Sequence, residues 1–305
     1  MSSNFPPRRP RAPIEAALSE AVQFMEQTLS SLLPEPSGPE TRLHEAMRYA
    51  TLEGGKRIRA FLVLQSGRLF GVDRRALGRV AAAVECVHAY SLAHDDLPAM
   101  DNDELRRGRL TVHKKFDEAT AILAGDALLT FAFALLSASE THADPYVRCE
   151  LVSRLAQAAG VHGMVGGQMI DIASEGRDVD LTTVTRLERL KTGALIAFAC
   201  EAGAIMGKAS PQMRQALTGY AQDLGLAFQI VDDLLDLEGE TSQVGKQTKK
   251  DENRGKATLV KAMGPERARS QAQFLAAQAV QHLEIFDEKA DLLRGIATFV
   301  ITRKS

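Results

Sequence analysis

The chain is best read from His94-Asp95-Asp96-Leu97-Pro98-Ala99-Met100-Asp101-Asn102-Asp103-Glu104, followed by Leu105-Arg106-Arg107-Gly108. Four aspartates and a glutamate close an apolar segment here. Like charges this near one another cannot all ionise cheaply without a partner. Upstream, Asp73 is a candidate helix cap, and the helix runs through Ala81-Ala82-Ala83-Val84 to His94. His88, Ser91 and Asp95 share one face of it. Asp95 and Asp101 are six apart, about 120° out of line on a regular helix. Pro98 disturbs that turn and can swing Asp101 back toward Asp95.

A second cluster, Asp232, Asp233 and Asp236, also ends an apolar segment, about 137 residues downstream of Asp95. At about 100° per residue, Gln229, Asp233 and Asp236 fall on one side, with Asp232 beside them. Leu224, Ala227, Val231 and Leu235 point the other way. No lysine lies between Ala221 and Leu237, so this is not the mixed-charge pattern of a solvated face. Grouped carboxylates suit hard divalent cations such as Mg²⁺, which take one or two of them plus substrate phosphates. An EF-hand loop is excluded, because its glycine and final glutamate are missing from both Asp95 and Asp101.

Working outward, helical periodicity continues almost without a break. Helices are expected over Ile14–Leu32, Thr41–Leu52, Lys56–Phe70, Thr120–Ser139, Pro145–Ala159, Leu181–Met206, Pro211–Leu237, Pro265–His282 and Asp287–Ile301. Strand alternation with hairpin dipeptides is absent, so the fold class is all-α. Clusters on different helices require facing helices of a bundle. One domain over residues 14–305 is the simplest division, with the Arg- and Pro-rich residues 1–13 as a disordered tail.

The 305 residues are 45% hydrophobic and 25% charged, with a net charge of −2. That balance fits a globular protein and argues against a nucleic-acid binder. No signal peptide or membrane span is expected, and a cytoplasmic setting follows. Cys86, Cys149 and Cys200 are widely spaced, fitting reduced thiols.

Basic residues complement the acidic ones. Lys56, Arg57 and Arg59 follow Gly54-Gly55 at a helix start, where anions are favoured. A Walker loop is ruled out by the missing glycine, Ser/Thr and strand. Arg106-Arg107, Lys191-Thr192-Gly193, Gly245-Lys246 and Gly255-Lys256 add further patches. Two acidic and several basic patches suit a polyanion such as a diphosphate, bridged by metal on one side and gripped by Arg and Lys on the other.

These residues resemble the trans-isoprenyl diphosphate synthase (polyprenyl synthetase) family, most of all its bacterial farnesyl diphosphate branch. The matching elements run in order over about 200 residues: Gly54–Arg59, His88–His94, Asp95-Asp96 with Asp101, Leu105–Gly108, Leu123–Leu128, Gly166-Gly167-Gln168 with Asp171, Lys191–Ala194, Phe228-Gln229 with Asp232-Asp233 and Asp236, and Gly255–Thr258. The resemblance implies an all-helical, usually dimeric isoprenoid synthase bundle around a central cavity. It implies condensation of isopentenyl diphosphate with an allylic diphosphate (dimethylallyl or geranyl), aided by three Mg²⁺ per site, to give farnesyl diphosphate. Carried over by position, Asp95, Asp96, Asp101, Asp232, Asp233 and Asp236 hold metal. Lys56, Arg59, His88 and Arg107 hold isopentenyl diphosphate. Arg106, Lys191, Lys246 and Lys256 hold the allylic diphosphate, with Thr192 and Gln229 near the cationic carbon and Gln168 and Asp171 lining the cavity. Tyr90, five residues before the first aspartate, is the expected floor of the cavity, with Ser91 next to it. Ala60 and Leu110 depart from the family, which often has proline there.

Alternatives are a geranyl or geranylgeranyl diphosphate synthase with the same site, a terpene cyclase, and a non-catalytic subunit. A cyclase has no need of Lys56, Arg59 and His88. A non-catalytic subunit should have lost an aspartate cluster.

Overall fold

Apolar helical stripes punctuated by Pro, Gly and Asp caps give a chain of helices. The computed structural model describes residues 12–177, 179–242 and 258–303. In order these are α1 (Ala12–Leu32), α2 (Thr41–Thr51), α3 (Ile58–Arg68), α4 (Arg74–Asp95), α5 (Val112–Lys115), α6 (Glu118–Ser137), α7 (Pro145–Ala159) and α8 (Met164–Ser174). They continue as α9 (Leu181–Glu188), α10 (Ala194–Met206), α11 (Pro211–Ser242), α12 (Leu259–Met263), α13 (Pro265–His282) and α14 (Asp291–Thr302). Asp73 does cap α4, accepting from the amides of Arg75 and Ala76 at 2.9 and 3.1 Å. Of the expected tail, residues 1–11 lie outside the described residues.

Three local features depart from the sequence pattern. Leu181–Met206, expected as one helix, is α9 and α10 joined by a π-helical turn over Arg189–Gly193. Its apolar stripe is continuous, so periodicity hides the break. Helix α8 is not among the expected helices, and its Gly166 and Gly167 are poor helix formers. Between α4 and α5 the chain forms a two-stranded antiparallel ribbon, β1 (Leu105–Arg106) and β2 (Arg109–Leu110). Two residues per strand are too few to show alternation.

A large core buries Met25, Leu29, Phe61, Leu62, Phe198 and Tyr220 among α1, α3, α10 and α11. A smaller one, with Val184, Ile230, Leu234, Leu259 and Leu275, joins α9, the later half of α11, α12 and α13. Each large apolar side chain contributes about 1.5–3 kcal/mol, against about 0–1 for a surface ion pair. The cores therefore fix where α4 and α11 carry their charges. Helix α6 is long and apolar enough to cross a membrane by length and composition. It nonetheless carries Glu118 and Asp126 and packs along α4.

Candidate active site

At its acidic end α4 stops and the chain turns back on it. The Asp101 amide donates to the Asp95 carbonyl at 2.7 Å, and the Asp103 amide to that of Asp96 at 3.2 Å. Asp101 thus returns to Asp95 as expected, through the end of the helix rather than a distortion within it. Burial raises the Asp95 carboxyl to about 6; Asp101 and Asp96 add to the rise, and Lys191 and Arg106 oppose it. Asp96 is only 2% exposed. Its Oδ1 accepts from Arg106 Nη2 and Nε at 2.7 and 2.9 Å, and its Oδ2 from Nε at 3.1 Å.

The ribbon sets the two arginines apart. Arg106 pairs with Arg109 across it, while Arg107 occupies the turn in the left-handed region at φ 53°. Tyr49 Oη donates to the Leu110 carbonyl at 2.7 Å, and the Arg109 guanidinium stacks on the Tyr49 ring at 4.3 Å. Docked this way, Arg107 lies across Gly54-Gly55. Gly55 sits at φ 83°, a conformation that favours glycine, and an added Cβ would stand 2.6 Å from Arg107 Nη1 and push that guanidinium aside.

On α11 the expected face forms. Leu224, Ala227 and Val231 are buried. Thr192 Oγ1 donates to Gln229 Oε1 at 2.9 Å, and Gln229 Nε2 to Asp233 Oδ1 at 3.0 Å. Burial raises the Asp233 carboxyl to about 7, with Asp236 and Asp232 adding and the Gln229 bond opposing. Asp232 takes a different partner, Arg303, whose guanidinium stacks on Phe228 at 4.0 Å. Asp236 is exposed.

The π-helical turn brings Lys191 between the walls. Lys191 Nζ meets Asp171 Oδ2 at 2.5 Å. The backbone of α8 can come this close only because residue 167 is glycine; a Cβ there would lie 2.3 Å from the Lys191 amide nitrogen. Gln168 follows it, half-buried. The Lys191 charge reaches Asp95 on one side and Glu188 on the other, and Glu188 also feels Asp233 and Asp232.

A second basic group stands beside this, and the charges of its Lys56 and Arg59 reach Asp232. Lys56 is exposed ahead of α3, and Arg59 in its first turn is half-buried. The Arg59 Nε is buried and has no hydrogen-bond partner among the described residues. Burial, then Arg59, Arg107, Arg106 and Arg57, push His88 well below its ordinary pKa, so its ring is neutral. The Ser91 hydroxyl donates to the His88 carbonyl at 2.9 Å. Tyr90 is buried, edge-on to His94 at 5.7 Å. Lys246 and Lys256 lie outside the described residues.

Sequence reasoning missed three residues of this region: Arg303, Glu188 and Glu85. Arg303 carries no local signal, being 71 residues from Asp232. Glu188 and Glu85 could have been noticed as lone carboxylates inside apolar helical runs.

The arrangement fits a hard cation. Asp233 Oδ2 is buried without a hydrogen-bond partner among the described residues. No group of three or more Asp, Glu, His or Cys among those residues forms a ready-made cage. Mg²⁺ needs none, since substrate phosphates and water complete its shell.

The profile of the Polyprenyl synthetase family matches residues 40–294. The chain belongs to that family. Farnesyl diphosphate synthase of Escherichia coli (strain K12) is 44% identical over 291 residues, covering 94% of this chain and 97% of that protein. Farnesyl diphosphate synthase of Haemophilus influenzae is 46% identical over 267 residues, covering 86% and 89%. Among solved structures, the FPP/GFPP synthase from Zymomonas mobilis superposes with a TM-score of 0.88 at 48% identity, covering 96% of this chain and all of that one. As a polyprenyl synthetase with relatives of these names, the chain is a prenyltransferase of the all-α isoprenoid synthase fold.

Proposed function

We propose that this prenyltransferase condenses isopentenyl diphosphate with dimethylallyl or geranyl diphosphate to give farnesyl diphosphate. One observation carries the reading. The Asp95 cluster reaches Lys191 and the Asp232-Asp233 cluster reaches Glu188 on the same turn, while Lys56, Arg59 and Arg107, with the neutral His88 beside them, form a second group, which gives two diphosphates two places. A cyclase has no use for the second place, and a non-catalytic subunit has no use for both clusters.

Asp95 and Asp101 would hold metal on the α4 wall, and Asp232, Asp233 and Asp236 on the α11 wall; Asp96, a metal ligand by the resemblance, is instead taken up by Arg106. Asp96, occupied by Arg106, fixes that guanidinium toward the allylic diphosphate; Lys191, Lys246 and Lys256 supply further cations. When bound, Mg²⁺ neutralises charge developing on the leaving diphosphate; three per site is the number the family implies. The allylic C–O bond breaks with its electron pair going to the diphosphate. Thr192 Oγ1 and Gln229 Oε1 turn their dipoles to the allylic cation. The alkene of isopentenyl diphosphate attacks that carbon, and the released diphosphate accepts the proton lost.

Tyr90 closes the chain pocket. Five residues of helix span about 7.5 Å, little more than one isoprene unit beyond the metal. This depth favours fifteen carbons over twenty. On α6, Ile122 is exposed and Leu129 and Phe133 half-exposed along one stripe, a face for a second copy in a homodimer. The enzyme works in the cytoplasm.

The test is incubation with isopentenyl diphosphate, geranyl diphosphate and Mg²⁺, with chromatography of the dephosphorylated products. Wild type should stop at fifteen carbons and Tyr90→Ala should run to twenty or more. No condensation product from wild type would sink the activity. An active Tyr90→Ala that still stops at fifteen would sink the floor.

A further inference from the structure

Beneath the turn that carries Lys56 and Arg59 lies a carboxylate with no part in the reaction above. Glu85, on α4, is 3% exposed. Its Oε2 accepts from Arg57 Nη1 at 2.9 Å, and its Oε1 from the Ala60 amide at 3.2 Å. Arg57 itself is buried, with φ 50°. Its Nη2 reaches Glu26 Oε1 at 2.6 Å and the Thr51 carbonyl at 2.5 Å. Glu26 also accepts from the amide of Glu53, another left-handed residue at φ 58°. A non-glycine residue holds such a conformation only when its surroundings impose it. Arg57 provides that hold, and Glu85 is the fully buried end of it.

Glu85 also sits among like charges. Its charge reaches Arg57, Arg59 and Arg107. Three guanidiniums this close repel one another unless an anion stands among them. Lys56 and Arg59 flank Arg57 in sequence, and His88 is one helical turn beyond Glu85, so whatever fixes Arg57 and Ala60 fixes the aim of all three.

We propose that Glu85 is the positioning residue of the isopentenyl diphosphate half of the site, holding the turn at Arg57 and aiming Lys56 and Arg59 at the diphosphate. The proposal rests on the functional reading above. Removing Glu85 also removes its repulsion of an incoming diphosphate, a gain in binding. Misaimed short-range contacts lose more than that gain, because charge-assisted bonds depend steeply on geometry.

The test uses the full chain carrying Glu85→Gln, which keeps an acceptor for the Ala60 amide but loses the charge and the acceptor for Arg57, turning an amide donor toward Arg57 Nη1. The Michaelis constant for isopentenyl diphosphate should rise about ten- to a hundredfold, while kcat and the allylic constant stay within about threefold. Arg57→Lys, which keeps the charge but cannot reach Glu85, Glu26 and Thr51 together, should show the same split and serves if Glu85→Gln does not fold. Combining the two should add little, as for residues acting as one unit. Calorimetry with isopentenyl diphosphate alone reads the same pocket and holds even if wild type performs no condensation, which would fail the functional reading instead. An unchanged or lowered isopentenyl constant in a folded variant, equal rises for both substrates, or additive effects would overturn the role.

Discussion

At the end of α4 Asp101 is brought back to Asp95 because a helix stops, whereas the acidic face of α11 forms because a helix continues. The first wall is irregular, held by backbone bonds from Asp101 and Asp103 back to Asp95 and Asp96. Its cation, Arg106, is ten residues away on the docked ribbon. The second wall is a regular face whose cation, Arg303, arrives from the far end of the chain. Two routes lead to the same chemistry, and they fail differently. A wall made by a chain reversal depends on its local arginine. A wall made by periodicity keeps its shape when its distant partner is removed.

The largest expected effects treat the walls as equals. Asp95→Ala and Asp232→Ala should each lower turnover by about a thousandfold or more at limiting Mg²⁺, with helical circular dichroism retained. Near-normal turnover in either folded variant would show that one wall suffices.

The arginines should then separate the walls. Arg106→Gln leaves the buried Asp96 uncompensated, and the Michaelis constant for the allylic substrate should rise about ten- to a hundredfold. Arg303→Gln frees Asp232 from a competing cation, so the Mg²⁺ concentration for half-maximal rate should fall roughly two- to fivefold, the range of a partly exposed ion pair. Equal responses of both kinds from the two variants would erase the contrast.

The smallest effect concerns Glu188, buried beside the α11 wall. Burial raises its carboxyl to about 8, with Asp233 adding and Lys191 opposing. Its neutral form is favoured in the fold, so its contribution to stability is whole at acidic pH and is lost as pH climbs through about 8. Glu188→Gln stays neutral throughout. Its melting temperature should gain on wild type by about 2–4 °C between pH 5 and pH 8.5, measured without metal. A gap that does not change with pH would contradict the assignment.

The same contrast governs what could be read in advance. The α11 face follows from a fixed angle per residue, and Gln229 and Asp233 stand together as that angle requires. The return of Asp101 could be expected from Pro98, but the sequence pointed to a distorted helix where the helix in fact ends. The π-helical turn at Lys191 left no trace in the apolar stripe running through it, and α8 was masked by its glycines. Arg303 and the pairing of Arg57 with Glu85 join distant parts of the chain, and no local pattern specifies such contacts. The resemblance supplied roles for Lys191 and Gln168, where periodicity alone gave only positions.

The central claim is that both walls bind one diphosphate through metal, and calorimetry with inorganic pyrophosphate tests it most directly. Wild type should bind pyrophosphate with Mg²⁺ present and far more weakly without it, and both Asp95→Ala and Asp232→Ala should abolish the metal-dependent part. Equal binding with and without Mg²⁺, or full metal-dependent binding in either variant, would contradict the claim.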